Sequence, residues 1–199
     1  MVHFLYHPQM INAANINALS PLRPIRIAEK TFARYAIDTE DNIRVFMKKF
    51  MKRPEYSYSL DVEETVHLYL PHLSSEDDIK SEPLAIDLMN SHELYLLDVR
   101  GLGESMPEEK SHFLHPYGMD YMFHGYGILL GESYLGRRVY DVLCTIDLLM
   151  HEGAKEIHLY GRGQGAIIAL FVGVLNDSLA DVTLKKCPPN HTIHGHMLR

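Results

Sequence analysis

Lys155-Glu156-Ile157-His158-Leu159-Tyr160-Gly161-Arg162-Gly163-Gln164-Gly165-Ala166 is the stretch on which the reading of the fold turns. Ile157 to Tyr160 reads as a buried strand, and Ala166 to Leu175 is an almost wholly apolar run with helical length. Between them, Gly161 to Gly165 is a tight glycine turn. A strand, a sharp turn with Gly at its first and fifth places, and a helix make the frame of a G-x-S-x-G nucleophile elbow. The flanking residues must be small because the apex residue is held in a strained conformation above the sheet. The chemistry also needs a nucleophilic side chain at the apex. Gly163 stands there and has none, so the frame is present without its reagent. The turn requires a positive φ at Gly163.

Outward from that turn, strands alternate with helices. Thr65 to Leu70 is a β-branched and aromatic strand stopped by Pro71, and Leu94 to Val99 is a nearly continuous apolar strand of the kind buried on both faces. Glu76 to Asn90 reads as a helix begun near Pro83. Val139, Val142, Leu143, Ile146, Leu149 and Met150 follow helical spacing up to Gly153, and Val182-Thr183-Leu184 is a last short strand. Phe32 to Ile37 and Ile43 to Lys48, separated by Asp38 to Asn42, read as a hairpin. Residues 1 to 30 show no period and read as an irregular N-terminal arm, with one domain over residues 31 to 199. The fold class is α/β, with parallel strands and helices on both faces.

Composition narrows the function classes. The chain has 199 residues, a length fit for one domain, with 46% hydrophobic and 23% charged residues. That excludes a disordered chain, a collagen-like repeat and a disulfide-rich miniprotein. The net charge of −7 argues against a broad electrostatic grip on nucleic acid. No apolar run approaches the ~20 residues that span a bilayer. The first residues show neither a basic region nor a sustained apolar run, so no signal peptide is read, and a cytoplasmic location is the default expectation.

Three segments together resemble a known family. Asp98-Val99-Arg100-Gly101-Leu102-Gly103-Glu104-Ser105, after a buried strand, resembles the D-x-R-G-x-G-x-S stretch of α/β-hydrolases. Gly131 to Leu143 is similar to the segment before the elbow in acetyl xylan esterase-like hydrolases, and the elbow frame follows in the expected order. The resemblance covers roughly residues 60 to 186. It implies a three-layer sandwich with a mostly parallel sheet, residues 156–160 beside 66–70, and 94–98 on the far side of 66–70. It also implies hydrolysis of acylated carbohydrates or similar small esters, with no cofactor and no metal. The backbone amides of Gln164 and Leu73 then become oxyanion-type candidates. Asp98, Arg100, Gly101 and Gly103 are read as loop-shaping, since buried charges must be paired. The family's acid and histidine follow later strands, and no loop bearing either is placed before Arg199. The expectation is therefore a domain C-terminally truncated relative to the family, lacking its last strands and impaired or inactive as an esterase. An uncovered sheet edge would then drive self-association, unless a segment such as residues 1 to 30 covers it.

Other readings of the same residues stay open. Gly161-x-Gly163-x-x-Ala166 also matches the dinucleotide fingerprint G-x-G-x-x-G/A, although Lys185 and Lys186 stand where an acid for the ribose belongs. A non-catalytic binding protein on this fold is a third reading. Cys187, His191, His194 and His196 could ligate zinc, against a frayed polar tail interrupted by Pro188-Pro189. Ser105 and Ser133 could be substitute nucleophiles, against caps of a turn and a helix. Tyr117, Tyr121 and Tyr126 could line a sugar cleft or pack beneath a loop.

Overall fold

The computed structural model describes residues 19–52, 59–107 and 119–186. The elements are β1 (Leu19–Ile27), β2 (Lys30–Glu40), β3 (Ile43–Phe50), β4 (Thr65–Leu70), α1 (Ser75–Ser81), α2 (Pro83–Ser91), β5 (Leu94–Asp98), α3 (Met119–Leu130), α4 (Tyr134–His151), β6 (Glu156–Arg162), α5 (Gln164–Leu175) and β7 (Asp181–Lys185). One sheet holds all seven strands in the order β1-β2-β3-β5-β4-β6-β7. Strands β5, β4, β6 and β7 pair in parallel, while β1, β2 and β3 form an antiparallel meander joined to β5. Because β2 runs with the parallel four, the sheet is mostly parallel. Val66 lies opposite Ile157 and Leu68 opposite Leu159, with Tyr69 opposite Leu96 on the other side. That is the strand order the resemblance implies.

Alternation along the central strands builds two cores, because successive side chains leave opposite faces of the sheet. Leu68, Leu70, Tyr95 and Leu97 pack under α4 and α5, against Val142, Ile146, Leu149, Ile168 and Val172. Tyr69, Leu94 and Leu96 face the other way, against Ile79 of α1 and Ala85, Leu88 and Met89 of α2. Every residue of β5 is buried, which is why its sequence reads as continuous rather than alternating. The result is a three-layer sandwich.

Several boundaries differ from the sequence reading. The arm expected over residues 1 to 30 is not wholly irregular: Leu19–Ile27 is a strand, paired along β2. Pro21 and Pro24 argue against a strand in sequence, yet an edge strand tolerates them, since its outward N–H groups need no partner. The helix expected over 76–90 is two helices, broken where Glu82 takes an extended backbone and caps α2 by accepting from the Leu84 N–H, with Pro83 at the first helical place. Residues 119 to 130, for which the sequence pattern gives no helix, hold α3. Ser133 caps α4 by accepting from the Gly136 N–H, so that helix begins five residues before the apolar spacing shows it, at Tyr134.

Candidate functional site

The parallel strands end together at one edge of the sheet, and the loops after β4, β5 and β6 meet there. Gly163 alone joins β6 to α5, with φ 58° and ψ −115°. That conformation is closed to ordinary side chains without strain, and it is the positive φ the sequence requires. The two flanking glycines answer to close packing. A Cβ on Gly161 would sit 2.5 Å from the Gly165 carbonyl oxygen, and one on Gly165 would collide with the Leu70 carbonyl. The elbow frame Gly161, Gly163 and Gly165 is thus assembled against the end of β4.

What fills the apex is His72. Its ring lies where a Cβ on Gly163 would be, in contact through Nδ1, Cγ and Cβ. Its Nδ1 accepts the Gln164 N–H at 3.1 Å. Gln164 is the residue after the apex, so the amide proposed as an oxyanion donor is already bonded. Because Nδ1 accepts, the ring proton of this neutral imidazole sits on Nε2. His72 is also held through its backbone, whose N–H donates to Asp78 Oδ2 at 3.4 Å. Asp78 accepts from Tyr69 Oη at 2.8 Å and pairs with Arg162 at 2.6 Å. Burial, followed by the Asp78 charge, pushes the Tyr69 phenol well above its ordinary range. Leu73, the other oxyanion candidate, is 53% exposed, and its carbonyl accepts from the Gly103 N–H at 2.8 Å.

The loop after β5 is tied to this site by charge. Asp98 is fully buried and accepts from the Ser75 N–H at 2.9 Å, the Ser75 hydroxyl at 2.7 Å and Lys48 Nζ at 2.8 Å. Lys48 is also fully buried and pairs with Glu104 at 2.8 Å. Burial alone would lower the Lys48 pKa, but Asp98 and Glu104 outweigh it and raise it. Arg100 reaches Asp141 and Glu40, and Gly101 and Gly103 both take positive φ. A Cβ on Gly103 would strike the Asp98 carboxylate, and one on Gly101 the Tyr134 hydroxyl. Arg138 then bridges this loop to the elbow. It donates to the Arg100 carbonyl at 3.0 Å, to Asp120 at 2.6 Å and to Gln164 Oε1 at 3.3 Å.

The remaining candidates lie apart from the elbow or outside the described residues. The Ser105 hydroxyl donates to the Asp98 carbonyl and accepts from the Phe46 N–H, and Ser133 is the cap of α4, so each is engaged in backbone bonding. Tyr121 and Tyr126 are 64% and 54% exposed on α3. Tyr117 and the group Cys187, His191, His194 and His196 fall outside the described residues. Among the described residues, no group of three or more His, Cys, Asp or Glu could hold a metal ion, and no helix is long and apolar enough to cross a membrane. A cavity of about 440 Å³ lined by Tyr35, Lys49, Lys52, Glu63 and Glu93 lies at the opposite end of the parallel strands. The sequence reading drew on this loop for the Leu73 amide but missed the His72 ring as the occupant of the apex. The one available signal was a histidine directly after the Pro71 that stops the strand beside β6.

No family model matches the chain, and no curated protein does. Solved structures do. A candidate acetyl xylan esterase from Bacteroides fragilis is 14% identical with a TM-score of 0.61, over 83% of this chain and 47% of that one. Acetyl xylan esterase 1 from a Thermoanaerobacterium species is 11% identical with a TM-score of 0.51, over 83% and 51%. An acetyl xylan esterase from a Paenibacillus species is 14% identical with a TM-score of 0.51, over 83% and 52%. The chain spans about half the length of these structures. At such identities the likeness is one of fold, and it agrees with the strand order and the elbow: the chain has an α/β-hydrolase-like fold resembling that of acetyl xylan esterases.

Proposed function

We propose that this chain is a non-catalytic relative of the esterases it resembles, binding a small acylated carbohydrate or ester without turning it over. The observation that carries this reading is the pairing of Gly163 with His72. Acyl transfer at an elbow needs an apex nucleophile and free amide donors for the oxyanion. Here the apex has no side chain, and the His72 imidazole accepts the Gln164 N–H that would serve the oxyanion. The same bond weighs against a dinucleotide at Gly161-x-Gly163-x-x-Ala166. A pyrophosphate there would need that amide and nearby positive charge, and Arg162 and Lys185 are paired with Asp78 and Glu82.

The test is hydrolysis of p-nitrophenyl acetate and of acetylated xylo-oligosaccharides, with fluorophosphonate labelling in parallel. The expected result is no turnover above a heat-denatured control and no labelled serine. Burst kinetics, or a label mapping to one serine, would overturn the reading by revealing a nucleophile elsewhere. Calorimetric titration with the same acetylated oligosaccharides tests the binding half, which fails if no heat of binding is seen.

A further inference from the structure

The two edges of the sheet are built differently. β1 carries Pro21 and Pro24, a register shift between Leu22 and Ile25, and exposed Arg23 and Arg26. Prolines, bulges and charges are the devices that keep an edge strand from pairing with another chain. β7, at the other edge, reads Asp181-Val182-Thr183-Leu184-Lys185, with neither proline nor register shift. Among the described residues its outer side pairs with nothing. The described strand of the arm, Leu19–Ile27, lies at the far edge of the sheet.

The register of β7 fixes which of its groups face outward. The Gly163 N–H donates to the Lys185 carbonyl, so the peptide groups of Asp181, Thr183 and Lys185 face β6. Those of Val182 and Leu184 therefore face away from it. Side chains alternate too. Leu184 is buried in the core under α5 and Val182 packs against that core, whereas Asp181 meets His158 and Lys185 meets Glu82.

We propose that β7 pairs antiparallel with β7 of a second copy of this chain, about a twofold axis at Thr183. The strand is self-complementary in that register. Val182 falls opposite the second copy's Leu184 and Leu184 opposite its Val182, each pair exchanging both outward-facing hydrogen bonds, four in all. Both pairs are apolar and lie on the α5 face. On the other face Asp181 falls opposite the second copy's Lys185, and Lys185 opposite its Asp181. Opposite charges directly across an antiparallel pair are attractive. Such an interface is isologous and closes on itself as a dimer. The nearly all-apolar α5 sits above it, with Val174 64% exposed. No residue of the elbow takes part, so this inference stands apart from the proposed function.

Sedimentation velocity of the 199-residue chain over a concentration series should give a dimer. Thr183→Cys in a Cys187→Ser background places two thiols across the axis, at a non-hydrogen-bonded pair where the Cα atoms are about 4.5 Å apart. Mild air oxidation should then yield a disulfide-linked dimer, and Val182→Cys in the same background should not. Val182→Pro removes an outward N–H and leaves the β6 ladder intact, so it should weaken the dimer about tenfold or more with circular dichroism unchanged. A monomer at every concentration would overturn the proposal, leaving another segment as the cover of this edge. A dimer that Thr183→Cys does not cross-link would equally overturn it, since the copies would then meet through a different surface.

Discussion

A Cβ on Gly163 and the ring of His72 claim one volume, so the two positions constrain each other. Gly163→Ser alone carries two costs, the side chain's resistance to φ 58° and the clash with His72. Together these should lower stability by about 2–4 kcal/mol. His72→Ala alone gives up the bond to the Gln164 N–H, a loss of about 1 kcal/mol. The double substitution removes the clash, so its loss should be smaller than the sum of the two singles by about 1–2 kcal/mol. Urea unfolding of the four proteins measures this coupling, and strict additivity would show that His72 can swing clear of the apex without cost. Activity should not return in either serine variant. In the single variant the His72 Nδ1 already accepts from the Gln164 N–H, and in the double variant the ring is gone, so nothing takes the hydroxyl proton.

Among elements, β4 and β6 carry a second histidine group at the end away from the elbow. His67 of β4 stacks on His92, the residue after α2, at 3.8 Å and on His158 of β6 at 5.0 Å. Its Nδ1 meets Tyr160 Oη at 3.0 Å, and His158 meets Asp181 of β7 at 2.7 Å. Burial, then the charges of His92 and His158, lowers the His67 pKa from 6.5 to about 4, against a smaller opposing effect of Asp181. The fold therefore prefers the neutral ring. Its contribution to stability is whole above pH 6.5 and is lost as the pH falls from there towards about 4. Thermal midpoints recorded from pH 7 to pH 4 should fall, and His67→Phe should flatten that decline by removing the titrating ring. An unchanged slope in the variant would place the acid sensitivity elsewhere. The same elements show what sequence carries and what it leaves out. β5 is legible because burial on both faces demands continuous apolar residues, and β6 because buried Ile157 and Leu159 alternate with half-buried His158 and Tyr160. α3 is not, because Gly125 and Gly127 interrupt its pattern and its Ile128, Leu129 and Leu130 are exposed, so no apolar stripe marks a buried face. The His72 contact is not legible either, because two residues 92 positions apart meet only through the pairing of β4 with β6.

Across the whole molecule, stability should follow position in the sheet. β5 and β4 lie at its centre, each flanked by a strand on both sides and covered by helices on both faces, while β1 has a neighbour on one side only. Amides of 66–70 and 94–98 should exchange with solvent only on global unfolding, and those of 19–27 through local opening. Comparable protection of β1 and β4 would contradict that gradient. The order of the parallel strands came from the resemblance, since local patterns mark strands without naming their neighbours, and the edges follow from that order. Within β7 the gradient meets the register of its peptide groups. The Thr183 N–H faces β6 and should be protected at any protein concentration. The N–H groups of Val182 and Leu184 face outward, so they are protected only while a second strand covers them. Residue-resolved exchange should therefore slow at Val182 and Leu184 as protein concentration rises, with Thr183 unchanged. Fast exchange at both outward amides in concentrated solution would mean that the edge stays open.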